Sequence, residues 1–310
     1  AVGSWQFPAA PGTFGTGFDI DLEQVWAVVG QACRDAVQQA GIRPTDVAAV
    51  AVTAMRFSTV LLNNAGDSLL AVPNRDARAA GEYFDIAGKL GPELLRATGS
   101  SPLPLHASAR LLWMKRQHPE QFEQVATVFG LGEWLNFRLS GVRAIDATLG
   151  SATGLFCLTE REWCWPVIDE LGLPREIFPA IIDAGSPVGK LSTGAAAHLG
   201  LEAGILVGMG GADTQSSLLG SGVLNVADCA VVAGTTAPVQ VVLERPLFDP
   251  DGKSLGTHHI ITGRWVLESN GGATGDSISR MAKMLFPEAP EPELRLLAEA
   301  SLSEPGAAGM

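Results

Sequence analysis

The sequence has no long hydrophobic run and little positive charge, and each lack excludes a class of protein. No apolar run reaches the roughly 18 residues that a membrane-spanning helix needs, so we expect no membrane span. Lysine and arginine number 21 against 33 aspartate and glutamate residues, which gives a formal charge of −12. Because phosphate backbones bind basic surfaces, we expect no nucleic acid partner, although a nucleotide needs only a local site.

Cysteine and histidine are scarce, and neither forms a pattern that indicates a metal site. The five histidines lack metal-ligand spacing, and no CxxC pair occurs among the four cysteines, which are Cys33, Cys157, Cys164 and Cys229. This usage predicts free, mostly buried thiols in a reducing cytoplasm. The amino-terminal segment AVGSWQFPAAPGTFGTG lacks the basic and apolar regions of a signal peptide. We therefore expect a cytoplasmic protein.

The hydrophobic pattern changes between helical and strand periodicity along the chain. Apolar residues at helical spacing predict a helix from about 21 to 40, and a β-branched apolar run predicts a buried strand at 47–53. The Gly91-Pro92 pair predicts a break between helices. The small residues of 146–154 predict a loop, and 205–209 predicts a strand that leads into a short helix ending near residue 220.

One carboxylate, Asp213, follows this last strand and a glycine cluster in GILVGMGGADTQSSLLG. The carboxyl end of a strand is where open α/β sheets place their chemistry, although a helix cap fits the spacing equally well. About twenty residues later, Gly234-Thr235-Thr236 predicts a turn whose N–H groups and hydroxyls can bind an anion. A carboxylate near a phosphate suits phosphoryl transfer, where a base takes a proton from the attacking hydroxyl. The residues alone leave this as a hypothesis, because such turns are common.

Several segments together resemble the FGGY carbohydrate kinase family, which includes xylulose, glycerol, ribulose and autoinducer-2 kinases. GMGGADTQSSLLGSG resembles the family's Gly-Gly-Gly-Asp segment, and VVAGTTAPV resembles its second phosphate motif. AVTAMRFSTVLLNNAGDSLL resembles its substrate loop and hairpin, and NRDAR resembles its Trp/Asn-x-Asp-x-Arg segment. ARLLWMKRQHPEQF, WLNFRLSG and ATGLFCLTEREW are also typical of the family. The order and spacing of these segments carry the resemblance along most of the chain.

The resemblance implies an α/β fold of two ribonuclease-H-like domains, as in actin and hexokinase, with a cleft between them. Residues 1–222 would form the N-terminal, sugar-binding domain, and residues 223–310 would begin the C-terminal, nucleotide-binding domain. The family opens with a strand that carries Asp-x-Gly-Thr and continues into an adenosine-binding glycine motif. Neither is present in this sequence, so we expect the chain to be truncated at both ends and the fold to be incomplete.

The resemblance also implies a role for each matching residue. Asp213 would be the general base. The sugar would be bound by Asp213 and by Met55, Arg56, Asn74, Asp76 and Thr214. The implied cofactors are ATP and Mg²⁺, and ATP would be bound by Gly210, Gly211, Gly234, Thr235 and Thr236. No residue is assigned to the metal. A surface ion pair for Arg56 and a helix cap for Asp76 stay as alternative interpretations.

The implied function is ATP-dependent phosphorylation of a small sugar or polyol, most similar to that of a xylulose-type ketose kinase. The pair Met55-Arg56 and the run Asp76-Ala-Arg-Ala79 also favour the autoinducer-2 kinase branch. A non-catalytic relative that senses a sugar or nucleotide is the alternative from another class, but a sensor would not need the base Asp213. The expected partner is a small sugar or polyol, and a homodimer is compatible with the resemblance.

Overall fold

The computed structural model describes residues 1–233, 236–272 and 274–304, and shows an α/β protein. The helices are α1 Leu22–Ala40, α2 Ala80–Thr98, α3 Ala107–Gln117, α4 Pro119–Phe122, α5 Leu131–Ser140, α6 Ala147–Ser151, α7 Trp165–Glu170, α8 Thr193–Leu199, α9 Asp213–Gly220, α10 Thr274–Leu285 and α11 Pro292–Ala300. The strands are β1 Ala49–Ala54, β2 Thr59–Leu62, β3 Ser68–Val72, β4 Thr127–Phe129, β5 Ala144–Ile145, β6 Phe156–Cys157, β7 Glu162–Trp163, β8 Ala180–Ile181, β9 Pro187–Lys190, β10 Leu206–Ala212, β11 Cys229–Val231, β12 Pro238–Leu243, β13 Leu255–His258 and β14 Trp265–Asn270.

Three sheets organise the chain. The first has the order β1-β10-β9, in which β1 and β10 are parallel and β9 is antiparallel to β10. The second is the antiparallel sheet β3-β2-β4. The third, here called the C-terminal sheet, is antiparallel with the order β11-β12-β14-β13. Two short pairs, β5-β8 and β6-β7, and an isolated bridge between Ala9 and Phe18 account for the remaining pairing among the described residues.

Local sequence signals set the first helix where the pattern predicts it. The Asp21 carboxylate accepts a hydrogen bond of 2.9 Å from the backbone N–H of Gln24, and Gly41 ends the helix at a φ of 64°. Glycine is favoured there because a side chain disfavours the left-handed conformation. Helix α1 packs with α5 and α8 on the first sheet, where Trp134 is one of the largest fully buried side chains.

Two predictions about local structure are wrong. Helix α2 continues through Gly91 and Pro92 without a break, because Ile86 and Leu94, on either side of the proline, are both buried in one core cluster. Burial of these two side chains compensates for the hydrogen bond that proline cannot donate. Residues 146–154 are not simply a loop, since they contain helix α6, whose first N–H groups are capped by the Asp146 carboxylate.

The cysteine prediction is wrong for one pair. Cys157 and Cys164 form a disulfide, with a Cα–Cα distance of 5.1 Å. Cys33 and Cys229 are free as predicted, but neither is buried, since Cys33 is half-buried and Cys229 is exposed. The antiparallel pairing of β6 with β7 brings Cys157 and Cys164 together, since Phe156 pairs with Trp163. A spacing of seven residues carries no signal by itself, and only the hairpin makes the geometry suitable for a bridge.

Candidate functional site

Two parallel strands place the predicted base beside the predicted sugar loop. Ala54 at the end of β1 pairs with Ala212 at the end of β10. Met55-Arg56 therefore leaves the sheet next to the point where Asp213 begins α9. This is the edge at which parallel α/β sheets collect functional side chains.

The Asp213 carboxylate is exposed at the start of α9. Its Oδ1 accepts hydrogen bonds from the Thr214 backbone N–H, at 2.7 Å, and from the Thr214 hydroxyl, at 3.1 Å. No ion pair engages it within the described part of the chain. A carboxylate in the first turn is also stabilised by the helix dipole. Asp213 is therefore available to a ligand, and Thr214 orients one of its oxygens.

The backbone requires glycine at positions 210 and 211, shortly before Asp213. Strand β10 bulges at Gly210, since Val52 pairs with Met209 while Thr53 pairs with Gly211. A Cβ at Gly210 would lie 1.8 Å from the Val52 carbonyl oxygen, and Gly211 has a φ of +99°. Any side chain would therefore displace the strand end that carries Asp213. Gly210 also lines a cavity of about 520 Å³ on this sheet.

A buried polar network underlies this strand end. The Thr148 hydroxyl accepts a hydrogen bond of 2.8 Å from the Ala212 backbone N–H. Thr148 is itself held by Asp146, whose carboxylate accepts 2.8 Å and 3.2 Å hydrogen bonds from the N–H groups of Thr148 and Leu149. Burial raises the pKa of Asp146, although these hydrogen bonds oppose the rise. Burial likewise raises the pKa of Glu133 to about 8, with the Asp146 charge adding to the effect.

Arg56 is paired with a residue of the C-terminal sheet. Its Nη1 and Nη2 lie 2.9 Å from Oε2 and Oε1 of Glu268, and both side chains are buried. Gln240 on β12 donates a 2.8 Å hydrogen bond to Glu268 Oε2. The next residue, Phe57, has a φ of 63°, which is unusual for a side chain of this size, and the Arg56 guanidinium lies 5.3 Å from its ring. Arg56 thus forms a buried ion pair and not the surface pair that its sequence context also allowed.

Arg110 on α3 connects the sugar loop with the segment that holds Asn74 and Asp76. Its guanidinium donates to the backbone carbonyls of Phe57, Pro73 and Asp76. Asp76 is fully buried, with its Oδ1 2.7 Å from Arg78 Nε and its Oδ2 3.5 Å from Arg110 Nε. It therefore anchors this segment internally and does not cap a helix. Asn74, by contrast, lies in an exposed turn.

The predicted nucleotide residues are described only in part. Gly234 and Thr235 lie outside the described residues, and Thr236 is exposed. Within the described ranges no cluster of three or more histidine, cysteine, aspartate or glutamate side chains could hold a metal ion. Nor does any described helix have the length and apolar character needed to cross a membrane.

Three residues of this region were not found from the sequence. Thr148 lies in the segment predicted as a loop, Arg110 lies within an apparently ordinary helix, and Glu268 lies near the end of β14, more than 200 residues from Arg56. Asp146, two residues before Thr148, is a typical N-cap residue and could have indicated that a helix begins here. No local pattern indicates the contacts of Arg110 or Glu268, because they depend on how distant elements pack.

Comparison with known proteins gives one family match. Residues 16–220 match the model of the FGGY family of carbohydrate kinases, N-terminal domain. The match includes Met55, Arg56, Asp76, Asp213 and Thr214 and covers more than half of the chain.

Individual relatives agree with this match. The chain is 36% identical over 281 residues to an autoinducer-2 kinase of Escherichia coli O9:H4 (strain HS), covering 89% of this chain and 53% of that protein. The crystal structure of xylulose kinase from Rhodospirillum rubrum superposes with a TM-score of 0.89 at 25% identity, covering 98% of this chain and 62% of the other. Gluconate kinase from Lactobacillus acidophilus shares the fold, with a TM-score of 0.88 at 21% identity over 97% of this chain and 60% of the other. The chain spans about half the length of the curated relative.

Proposed function

Because the chain belongs to the FGGY family of carbohydrate kinases, we propose that its protein transfers the γ-phosphoryl group of ATP to a hydroxyl of a small sugar or polyol. The observation that carries this proposal is the pairing of Ala54 with Ala212, which sets Met55-Arg56 beside Asp213. An exposed carboxylate that can take a proton, beside a loop predicted to bind the sugar, is the arrangement that phosphoryl transfer to an alcohol needs at the acceptor.

In this proposal Asp213 accepts the proton of the acceptor hydroxyl while the hydroxyl oxygen bonds to the γ-phosphorus. The bond from that phosphorus to the bridging oxygen breaks, and ADP leaves with the electron pair. Thr214 orients the carboxylate through its hydrogen bonds to Oδ1. The predicted turn at Gly234, Thr235 and Thr236 would bind the phosphates.

Mg²⁺ would neutralise charge on the transferring phosphates. This ion is typically held by one or two carboxylates together with substrate phosphates and not by a cage of protein ligands. The exposed Asp213 carboxylate fits that mode, because its Oδ2 receives no hydrogen bond from the described residues.

Two acceptors are proposed for the same site. A ketopentose such as xylulose suits the similarity to the Rhodospirillum rubrum enzyme. The linear form of autoinducer-2 suits the higher identity to the Escherichia coli protein. The rate of ADP release by the intact protein, measured with each acceptor under equal conditions, shows which of the two is the better substrate.

Replacement of the base tests the proposal. Asp213→Asn in the intact protein should lower kcat by about 10²–10⁴-fold, since general base catalysis contributes that much. Sugar binding, measured by calorimetry, should persist. Asp35→Asn, which changes an exposed carboxylate on α1, is the matched control and should keep full turnover. Full turnover in Asp213→Asn would contradict the role of Asp213, and absence of turnover with every sugar in the wild type would favour a non-catalytic sensor.

A further inference from the structure

A cavity of about 300 Å³ lies against the Arg56–Glu268 pair. It will be called the Arg56 cavity. Its polar lining comes from separate parts of the chain, namely Arg56, Ser100, Ser101, Lys253, Ser254, Glu268 and Asn270. The Ser101 hydroxyl donates a 3.2 Å hydrogen bond to the Gly252 carbonyl, so the walls of the cavity are in direct contact. Hydroxyl, amide and carboxylate groups in this mixture suit a ligand that carries several hydroxyls.

The ion pair in the wall of this cavity engages the two terminal nitrogens of Arg56. Arg56 Nη2 donates a 2.9 Å hydrogen bond to Glu268 Oε1, and Nη1 lies 2.9 Å from Oε2, so both carboxylate oxygens face the guanidinium. The pair is buried, with side-chain exposures of 9% and 4%. Gln240 fixes Glu268 from the side of the C-terminal sheet. A carboxylate of this protein therefore already occupies the position that a ligand carboxylate would take.

The other cation of the cavity is also paired. The Lys253 ammonium group lies 2.8 Å from Asp251 Oδ2 and is largely exposed. The cavity consequently holds no described cation without an acidic partner. A ligand carboxylate entering it would be desolvated next to Glu268, and like charges at short range are unfavourable.

We propose that Glu268 is a specificity-determining residue: by occupying the guanidinium of Arg56, it makes the Arg56 cavity accept an uncharged polyol or ketose and reject an aldonate. The inference rests on the proposed function, because Arg56, which lines the cavity, is one of the residues that the resemblance assigns to the sugar. A hydroxyl can donate to Glu268 and accept from the Asn270 amide, whereas a carboxylate can only accept. Freeing the guanidinium should therefore reverse the preference.

Binding of two matched ligands tests this without any need for turnover. Xylitol and D-xylonate have the same five-carbon chain and differ at one end, which is a hydroxymethyl group or a carboxylate. Calorimetry on the intact wild-type protein should show binding of xylitol, and the dissociation constant for xylonate should be higher than that for xylitol by about tenfold or more. Glu268→Gln should shift the ratio of the two constants toward xylonate by about tenfold or more.

Two further variants separate specificity from general damage. Glu23→Gln removes an exposed carboxylate that pairs with Arg138, and should leave the ratio unchanged. The double variant Arg56→Met with Glu268→Met removes both charges and should not gain xylonate binding, because the gain requires a free guanidinium. Circular dichroism checks that each variant is folded.

The outcomes separate the inference from the function on which it rests. Wild-type preference for xylonate, binding of neither ligand, an unchanged ratio in Glu268→Gln, or an equal gain in the double variant would each overturn the role of Glu268. Where a variant does not fold, a wild-type preference for xylonate or binding of neither ligand still overturns the inference. A shifted ratio without phosphorylation of any sugar would support Glu268 while contradicting the kinase proposal. Phosphorylation of xylulose with an unshifted ratio would do the reverse.

Discussion

The hydroxyl of Thr148 holds the backbone N–H of Ala212 at 2.8 Å, one residue before Asp213. Thr148 is 2% exposed and Ala212 is fully buried, so the bond is shielded from solvent. Asp146 caps helix α6, which contains Thr148, and its carboxylate accepts a hydrogen bond from the Thr148 backbone N–H. The direction in which Asp213 leaves the sheet thus depends on a hydroxyl more than sixty residues away in the sequence.

Thr148→Val should lower kcat of the intact protein by about 10-fold to 100-fold, since a displacement of about 1 Å at a reacting group has this cost. Valine keeps the shape of threonine but leaves the Ala212 N–H without an acceptor. The KM for the sugar should change little, because Arg56 and the cavity that it lines are held by other contacts. Steady-state kinetics with varied sugar at saturating ATP separate the two constants.

Thr148→Ser restores the hydroxyl and should recover most of the activity. Thr153→Val is the matched control, since Thr153 lies in the same segment and loses a comparable 2.7 Å bond to the Gly150 carbonyl. Equal loss of kcat in both valine variants would show a general effect of this segment and contradict a positioning role for Thr148.

Glu133 should make the free energy of unfolding fall as the pH rises. Its pKa is about 8 in the folded chain against 4.5 for an unperturbed glutamate, because burial disfavours its charged form. Between these values the folded state binds more protons than the unfolded state, so stability is greatest below about pH 4.5 for this group and declines toward pH 8. From pH 5 to 7 the decline amounts to about 2–3 kcal/mol.

Glu133→Gln should flatten this dependence, because glutamine can still accept the 2.8 Å hydrogen bond from the Gly130 N–H but does not ionise. Thermal midpoints of the wild type and the variant, measured at about pH 5 and 7, give the comparison. Glu160→Gln changes an exposed carboxyl and is the control. Parallel curves for the wild type and Glu133→Gln would show that Glu133 is already ionised in the folded protein.

The disulfide between Cys157 and Cys164 should stabilise its hairpin by about 2 kcal/mol, since it closes a short loop in the unfolded chain. Cys157→Ser with Cys164→Ser should lower the thermal midpoint of the oxidised protein and remove its response to a reducing agent. Cys33→Ser should do neither. Peptide mapping without reductant should recover the two cysteine peptides linked, and their recovery as separate thiol peptides would contradict the bridge.

Much of the local structure follows from the sequence. Asp21 and Gly41 begin and end α1 as their chemistry predicts, and the apolar runs before Met55 and Asp213 form β1 and β10. The prediction that the first of these strands is buried is wrong, since β1 lies at the end of its sheet with exposed and half-buried residues only. These elements depend on contacts within a few residues, which periodicity and capping describe. Pro92 shows the limit of this approach, since a residue that disfavours a helix interior is tolerated where the neighbouring side chains are buried.

The sequence by itself determined the α/β character, the carboxylate at a strand end and the resemblance to a sugar kinase family, because each of these depends on short motifs and their order. Only the tertiary structure decided that Arg56 pairs with Glu268, that Thr148 holds the strand end at Ala212, and that Cys157 and Cys164 join. Ion pairs and hydrogen bonds between distant segments are set by the packing of whole helices and strands, so the periodicity of the sequence does not predict them. The chemistry proposed at Asp213 is therefore predicted locally, while the acceptor preference proposed at Glu268 depends on the fold.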